Sequence, residues 1–132
     1  MNLSGFPRNY WKGFIVILIA YTIVQLLFFH PLFTIPSKIH DYRQFIRWLT
    51  IAFIYLVGAK VLLNTGIAWM ITIWHIIHAL MISFLLIAAV YEYGIGPVPY
   101  GIRSSVAPII EFLISPVLYM ASGLIYTSLY NR

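Results

Sequence analysis

Two histidines in a strongly apolar segment are the residues best suited to chemistry in this chain. His75 and His78 lie three positions apart in the sequence Trp74-His75-Ile76-Ile77-His78. On an α-helix this spacing puts both imidazoles on one face, about 60° and one turn apart. Such a pair suits a metal site or a proton relay, and ionisable groups inside apolar helices are often functional. Met81, one further turn along, would extend the site toward a soft metal such as copper.

A haem would need more than these two histidines. Its two axial imidazoles approach the iron from opposite sides, normally from two helices at matching depth. His30 lies at the end of the first apolar stretch and His40 lies outside it, so a haem or copper ion would be shared with another subunit. Three interpretations of His75 and His78 stay open. We favour structural, hydrogen-bonded histidines over a shared haem or metal site and over a proton path.

A second candidate group is the carboxylate of Glu111, which lies shortly before Pro116. Proline has no backbone N–H, so the carbonyl of Phe112 loses its helical partner and the sequence predicts a kink near Pro116. A carboxylate beside a kink can belong to an ion or proton pathway. We favour the simpler alternative, in which Glu111, placed about one turn inside its helix, pairs with Arg103 or is exposed at the membrane rim.

These residues are carried by an unusually apolar chain. Of its 132 residues, 62% are hydrophobic and 8% charged, whereas soluble proteins average ~45–50% apolar and ~25% charged residues. Residues 61–91 contain no Lys, Arg, Asp or Glu, and such a run lies only in lipid or deep inside a protein. The absence of cysteine excludes disulfides, thiolate zinc sites, cysteine-ligated iron–sulfur clusters and thiol nucleophiles.

The apolar stretches predict an all-α integral membrane protein with four transmembrane helices. They lie at about residues 13–30, 45–63, 67–91 and 106–129, in one membrane domain covering residues 1–132. Asn64-Thr65-Gly66 supplies turn chemistry, so the second and third helices are expected to be antiparallel neighbours. Four spans place both termini on the same side. Lys and Arg divide evenly between the two sides, so the positive-inside rule leaves the orientation open.

The remaining patterns exclude several classes of function. Residues 94–101 are too rich in Gly and Pro to be predicted helical, and we favour a stiff connector over a docking surface or quinone-pocket wall. Their glycines do not match a dinucleotide fingerprint, and the chain has no Lys-Ser or Lys-Thr pair of a phosphate loop. The net charge of +5 comes without a basic run that could follow a nucleic acid. The basic residues are instead expected to meet anionic lipid headgroups.

Two classes of function remain. We favour a small accessory or structural subunit of a larger membrane complex, not catalytic by itself, whose partners are other integral membrane subunits and lipids. The alternative is a cofactor- or quinone-associated subunit of a redox complex, such as a respiratory dehydrogenase, oxidase or monooxygenase, with His75 and His78 near a haem or metal. A stand-alone lipid enzyme ranks third, because no matching Arg, Asn and Glu pattern is present. The expected location is a prokaryotic cell membrane or an organellar inner membrane.

Overall fold

The charge-poor apolar stretches form long helices, as their length and composition predict. The computed structural model describes residues 8–29 and 43–130, with side chains described for residues 9–27 and 45–129. The described residues form five helices: α1 (Arg8–Phe29), α2 (Arg43–Asn64), α3 (Ala68–Gly94), α4 (Tyr100–Ile114) and α5 (Val117–Tyr130). His30, His40 and the connection predicted before α2 lie outside these residues.

Three of the helices are long and apolar enough to cross a membrane. The qualifying segments are Asn9–Leu27 in α1, Phe45–Asn64 in α2 and Ala68–Gly94 in α3. A hydrocarbon core of ~30 Å needs about 20 residues of helix. α4 and α5 meet the same criterion only together, as a pair bent by 57°. The described part of the chain is therefore all-helical with three candidate spans, or four if the bent pair counts as one.

The fourth predicted helix is divided into α4 and α5 at Ser115 and Pro116. A residue that precedes proline is pushed out of the helical region, and Ser115 is extended, with φ −69° and ψ 150°. Proline also removes the donor that the Phe112 carbonyl would use. The Ser115 hydroxyl donates to that carbonyl at 2.9 Å instead. The kink expected at Pro116 thus takes the form of a break between two helices, stabilised by a serine hydroxyl.

The fourth helix starts earlier in the chain than the sequence predicts. α4 begins at Tyr100, not near residue 106, so Tyr100 and Gly101 are helical rather than part of a non-helical connector. The proline at position 99, with φ −49°, has the fixed backbone angle that suits a helix start. Its carbonyl accepts hydrogen bonds from the backbone N–H groups of Ile102 and Arg103, both at 3.0 Å. The connector between α3 and α4 is therefore confined to residues 95–99.

The turn between α2 and α3 lies where the sequence predicts it. α2 ends at Asn64, and the backbone N–H of Thr65 donates to the carbonyl of Leu62 at 3.1 Å. The Thr65 hydroxyl donates to the same carbonyl at 2.6 Å. Gly66 has φ +71°, a left-handed conformation that glycine adopts without steric penalty. This short reversal makes α2 and α3 adjacent, and the two helices are in contact.

A reciprocal tyrosine pair joins α1 to α5. The Tyr10 hydroxyl donates to the backbone carbonyl of Tyr119 at 2.6 Å, and the Tyr119 hydroxyl donates to the carbonyl of Tyr10 at 3.0 Å. The two rings stack with their centroids 4.6 Å apart. Gly123, one turn beyond Tyr119, is buried, and a Cβ there would overlap the Tyr10 ring. The pair therefore closes the bundle, because it connects residues at opposite ends of the described chain.

Candidate functional site

Four polar or aromatic side chains lie together between α2 and α3. This group, here called the polar cluster, consists of Tyr55, Trp74, His75 and His78. The Tyr55 hydroxyl and His75 Nδ1 are 2.7 Å apart, a hydrogen bond whose donor depends on the imidazole tautomer. The two rings meet edge-on, with centroids 5.5 Å apart. His75 thus has a partner on the neighbouring helix.

Trp74 connects the same two helices through its indole. Its Nε1–H donates to the backbone carbonyl of Tyr55 at 3.2 Å, and the side chain is almost fully buried. Gly58 lies one turn after Tyr55 on α2, and a Cβ at this position would overlap the indole ring. The absence of a side chain at Gly58 therefore lets the indole approach the α2 backbone closely.

His78 is fully buried, and only one of its two ring nitrogens has a hydrogen-bond partner among the described residues. Its Nδ1 lies 2.9 Å from the carbonyl of Trp74, one turn earlier on α3. Because a carbonyl can only accept, Nδ1 carries the hydrogen, and Nε2 of the neutral ring presents a lone pair. Within the described residues Nε2 has no hydrogen-bond partner. The ring is enclosed by Trp74 and Tyr55, whose centroids lie 4.2 and 5.3 Å away.

The polar cluster supplies too few ligands for a metal centre of its own. Among the described residues, no group of three or more His, Cys, Asp or Glu side chains lies close enough together to hold a metal ion. Nδ1 of each histidine is within hydrogen-bond distance of another group. The lone pair on His78 Nε2 could accept one hydrogen bond or bind one borderline cation. A complete metal or haem site at this position would need ligands from outside the described residues.

A second candidate site is a charged cavity at the other end of α3. It has a volume of about 360 Å³ and is lined by residues of α2, α3, α4 and the 95–99 connector. The described residues contribute three charged groups to its lining, Arg47, Glu92 and Arg103. Glu92 and Arg103 flank the 95–99 connector, whereas Arg47 belongs to α2. No spacing pattern connects Arg47 to the other two, because only the packing of α2 brings it to this cavity.

Glu111 lies on the outer surface of α4, away from both sites. Its side chain is exposed, and within the described ranges it forms no ion pair with Arg103 or another cation. The expected pairing with Arg103 is therefore not observed; the side chain is exposed, and its expected position at the membrane rim stays a prediction. Because α4 begins at Tyr100, Glu111 lies three turns inside the helix rather than one.

Comparisons with known proteins give no family for this chain. It matches no protein-family model, and neither curated proteins nor solved structures provide a significant match. Its function must be argued from the two sites and from Glu111.

Proposed function

We propose that this chain is a small, non-catalytic subunit of a larger membrane assembly, which it joins through its membrane-embedded helices. The proposal includes four spans, with α4 and α5 forming one broken span and both termini on the same side. The observation that carries it is Glu111, an exposed carboxylate three turns inside α4 with no cationic partner among the described residues.

The depth that the proposal gives Glu111 is argued from the packing of α4 on α3. The short 95–99 connector reverses the chain, and Ile110 lines the same cavity as Leu85 of α3. Leu85 lies about 14 Å of helix rise before the end of α3 at Gly94. The proposal centres α3, which is about 40 Å long, on a ~30 Å hydrocarbon core, and Glu111 then lies roughly 9 Å inside the core edge.

A carboxylate at this depth is unfavourable without a partner. Acidic groups inside a membrane face a protein interior or a water-filled cavity, and they pair with a cation or a hydrogen-bond donor. Glu111 instead lies on the outer face of the chain. A donor or cation from another membrane subunit would satisfy it there. The polar cluster supports a non-catalytic role, because all four of its side chains form hydrogen bonds within the chain.

Replacing Glu111 with leucine tests the proposal. If Glu111 contacts another subunit, the substitution should lower assembly, whereas if it faces lipid, assembly should be unchanged or improved. In the native membrane, Glu111→Leu should lower the fraction of the chain found in the large assembly about tenfold, because the partner's polar group is left unpaired. Native gel electrophoresis of mild-detergent extracts measures that fraction. Ser104→Leu, two turns earlier on the same face of α4, is the matched control and should leave assembly unchanged.

An unchanged or improved yield of Glu111→Leu would contradict the proposal. Leucine is the better residue wherever a side chain faces lipid, so that result would place Glu111 in contact with lipid rather than with a subunit.

The four-span arrangement predicts which positions label from each side of the membrane. The chain has no cysteine, so single cysteines can be introduced without a background. Cysteines at Ser4, Thr65 and Asn131 should react with an impermeant reagent from one side, and those at Ser37 and Ser104 from the other. Reaction of the Ser4 and Asn131 positions from opposite faces would contradict the arrangement.

A second candidate function is a subunit of a redox complex that contributes to a haem, metal or quinone site. One observation favours it: His78 Nε2 is buried with no partner among the described residues. A ligand set completed by another subunit would use this lone pair.

Glutamine variants distinguish the two candidates. Glutamine keeps a donor and an acceptor, so on our account His75→Gln and His78→Gln lower the free energy of unfolding by about 1 kcal/mol each. The metal and haem content of the assembly stays constant. Thr72→Ala, on an exposed turn of α3, is the control for a change in this helix. Loss of one stoichiometric metal or haem from both histidine variants, with the subunit still assembled, would establish the redox role instead.

A further inference from the structure

We propose that the cavity formed by α2, α3 and α4 binds the headgroup of a phospholipid. In this site the guanidinium groups of Arg47 and Arg103 hold the phosphate. The carboxylate of Glu92 accepts a hydrogen bond from an ammonium or hydroxyl group of the same headgroup. The site is independent of the polar cluster and of the assembly surface at Glu111.

The shape and lining of the cavity fit the polar end of an amphiphile. Its volume of about 360 Å³ falls at the lower end of the range for ligand pockets, ~300–1,000 Å³. The other described residues of the lining are apolar or aromatic, among them Trp48, Leu85 and Ile110. A fully hydrated anion gains no favourable contact with apolar side chains, whereas the acyl chain of a lipid can pack along them.

The charges of the cavity match a phosphodiester. The two guanidinium groups are opposite in charge to a phosphodiester, and the Glu92 carboxylate is opposite in charge to the ammonium of an ethanolamine headgroup. Guanidinium binds phosphate oxygens through paired N–H groups. Glu92 and Arg103 line the same cavity but form no ion pair within the part of the chain that the structure describes. The Arg103 donors and the Glu92 oxygens are therefore available to a ligand.

The position of the charged groups matches the depth of lipid headgroups. Arg47 lies in the first turns of α2, Glu92 in the last turn of α3, and Arg103 in the first turn of α4. These helix ends lie together at one end of the bundle. Leu85 and Ile110 lie deeper along α3 and α4 and form the apolar floor. Trp48, beside Arg47, is the kind of residue that concentrates where the hydrocarbon meets the headgroups.

Glu92 gives the site a preference among phospholipids. A carboxylate accepts hydrogen bonds, so it favours a headgroup that carries donors, such as ethanolamine. The trimethylated ammonium of choline has the same charge but no donor. We therefore expect phosphatidylethanolamine to bind more tightly than phosphatidylcholine.

Native mass spectrometry of the full chain in detergent tests the site directly. The wild type should retain phosphatidylethanolamine about tenfold more tightly than phosphatidylcholine. Arg103→Gln should weaken retention of both lipids about tenfold. Arg103→Lys keeps the charge but loses the paired N–H donors of the guanidinium, so it should give an intermediate loss. Glu92→Gln should remove the preference between the two lipids. Lys60→Gln, near the opposite end of α2, is the matched control and should bind as the wild type does.

Three outcomes would overturn the proposal. Equal losses in Arg103→Gln and Lys60→Gln would mean that overall charge, not this cavity, retains lipid. Wild-type retention in Arg103→Gln, in protein with an unchanged helical circular-dichroism spectrum, would remove the phosphate site. Displacement of the lipid by equimolar inorganic phosphate would show that the cavity binds a free anion rather than a membrane lipid.

Discussion

Gly58→Leu is expected to separate α2 from α3 and to leave little stably folded protein. Any Cβ at this position overlaps the Trp74 indole, and the larger leucine side chain would also displace Nε1 from the Tyr55 carbonyl. Overpacking costs ~1–3 kcal/mol and the lost hydrogen bond about 1 kcal/mol, so the free energy of unfolding should fall by about 3 kcal/mol. Unfolding in detergent, followed by tryptophan fluorescence, measures this change.

Gly101→Leu is the control for this prediction. Gly101 is also helical and has nothing within 4 Å of a Cβ, so leucine there should cause no loss of stability. Similar losses in the two variants would mean that glycine flexibility, rather than the contact with Trp74, explains the effect at Gly58.

Tyr119→Ala is expected to detach α1 from α5. Tyr119 is fully buried, and removal of a large aromatic side chain from a core costs ~3–5 kcal/mol. The variant loses the ring stack on Tyr10 and the hydrogen bond to its carbonyl. Tyr119→Phe keeps the stack and loses only the hydroxyl, so it should cost about 1 kcal/mol. The same unfolding assay compares the two.

Tyr93→Ala provides the baseline for removing a tyrosine, because Tyr93 is 95% exposed. It should be within about 0.5 kcal/mol of the wild type. If Tyr119→Phe were as damaging as Tyr119→Ala, the ring stack would contribute nothing and the hydrogen bond alone would join the helices. If both were neutral, α1 would not pack on α5 as described.

Local sequence predicts the long helices and the breaks between them, because their causes are local. Charge-poor runs near 20 residues specify α1, α2 and α3. Asn64-Thr65-Gly66 specifies the turn, and Pro116 specifies the break. The start of α4 was missed because Gly101, Arg103, Ser104 and Ser105 make its first turns too polar to resemble a membrane span. The helix-starting role of the preceding proline outweighs that composition.

Long-range contacts could be predicted only in part. Small residues such as Gly58, Ala79 and Ser83 are typical of places where membrane helices approach closely, but of these three only Gly58 is buried. Tyr10 was recognisable only as an aromatic residue near a helix end. Its bond to Tyr119 spans 109 residues, and no periodicity in the sequence encodes that pairing. The charged cavity has the same origin, since α2 and α4 bring its arginines together.

The interpretation of the histidines depends on a partner atom that the sequence cannot reveal. The expected hydrogen bonds are present, from His75 to Tyr55 and from His78 Nδ1 to the Trp74 carbonyl, and the structural role itself stays a prediction. The spacing of His75 and His78 correctly places them in one cluster. It gives no sign that Tyr55 lies opposite His75, or that Nε2 of His78 is left over.

The measurement that tests the central claim most directly is the mass and absorbance of the particle that contains this chain. The particle is purified from its native membrane in mild detergent through a tag on the chain. Our account predicts a particle several times heavier than the 15.2 kDa chain, with other membrane subunits and with no haem or copper in a fixed ratio that depends on His78. A monodisperse 15.2 kDa monomer that is long-lived and has activity of its own would contradict it.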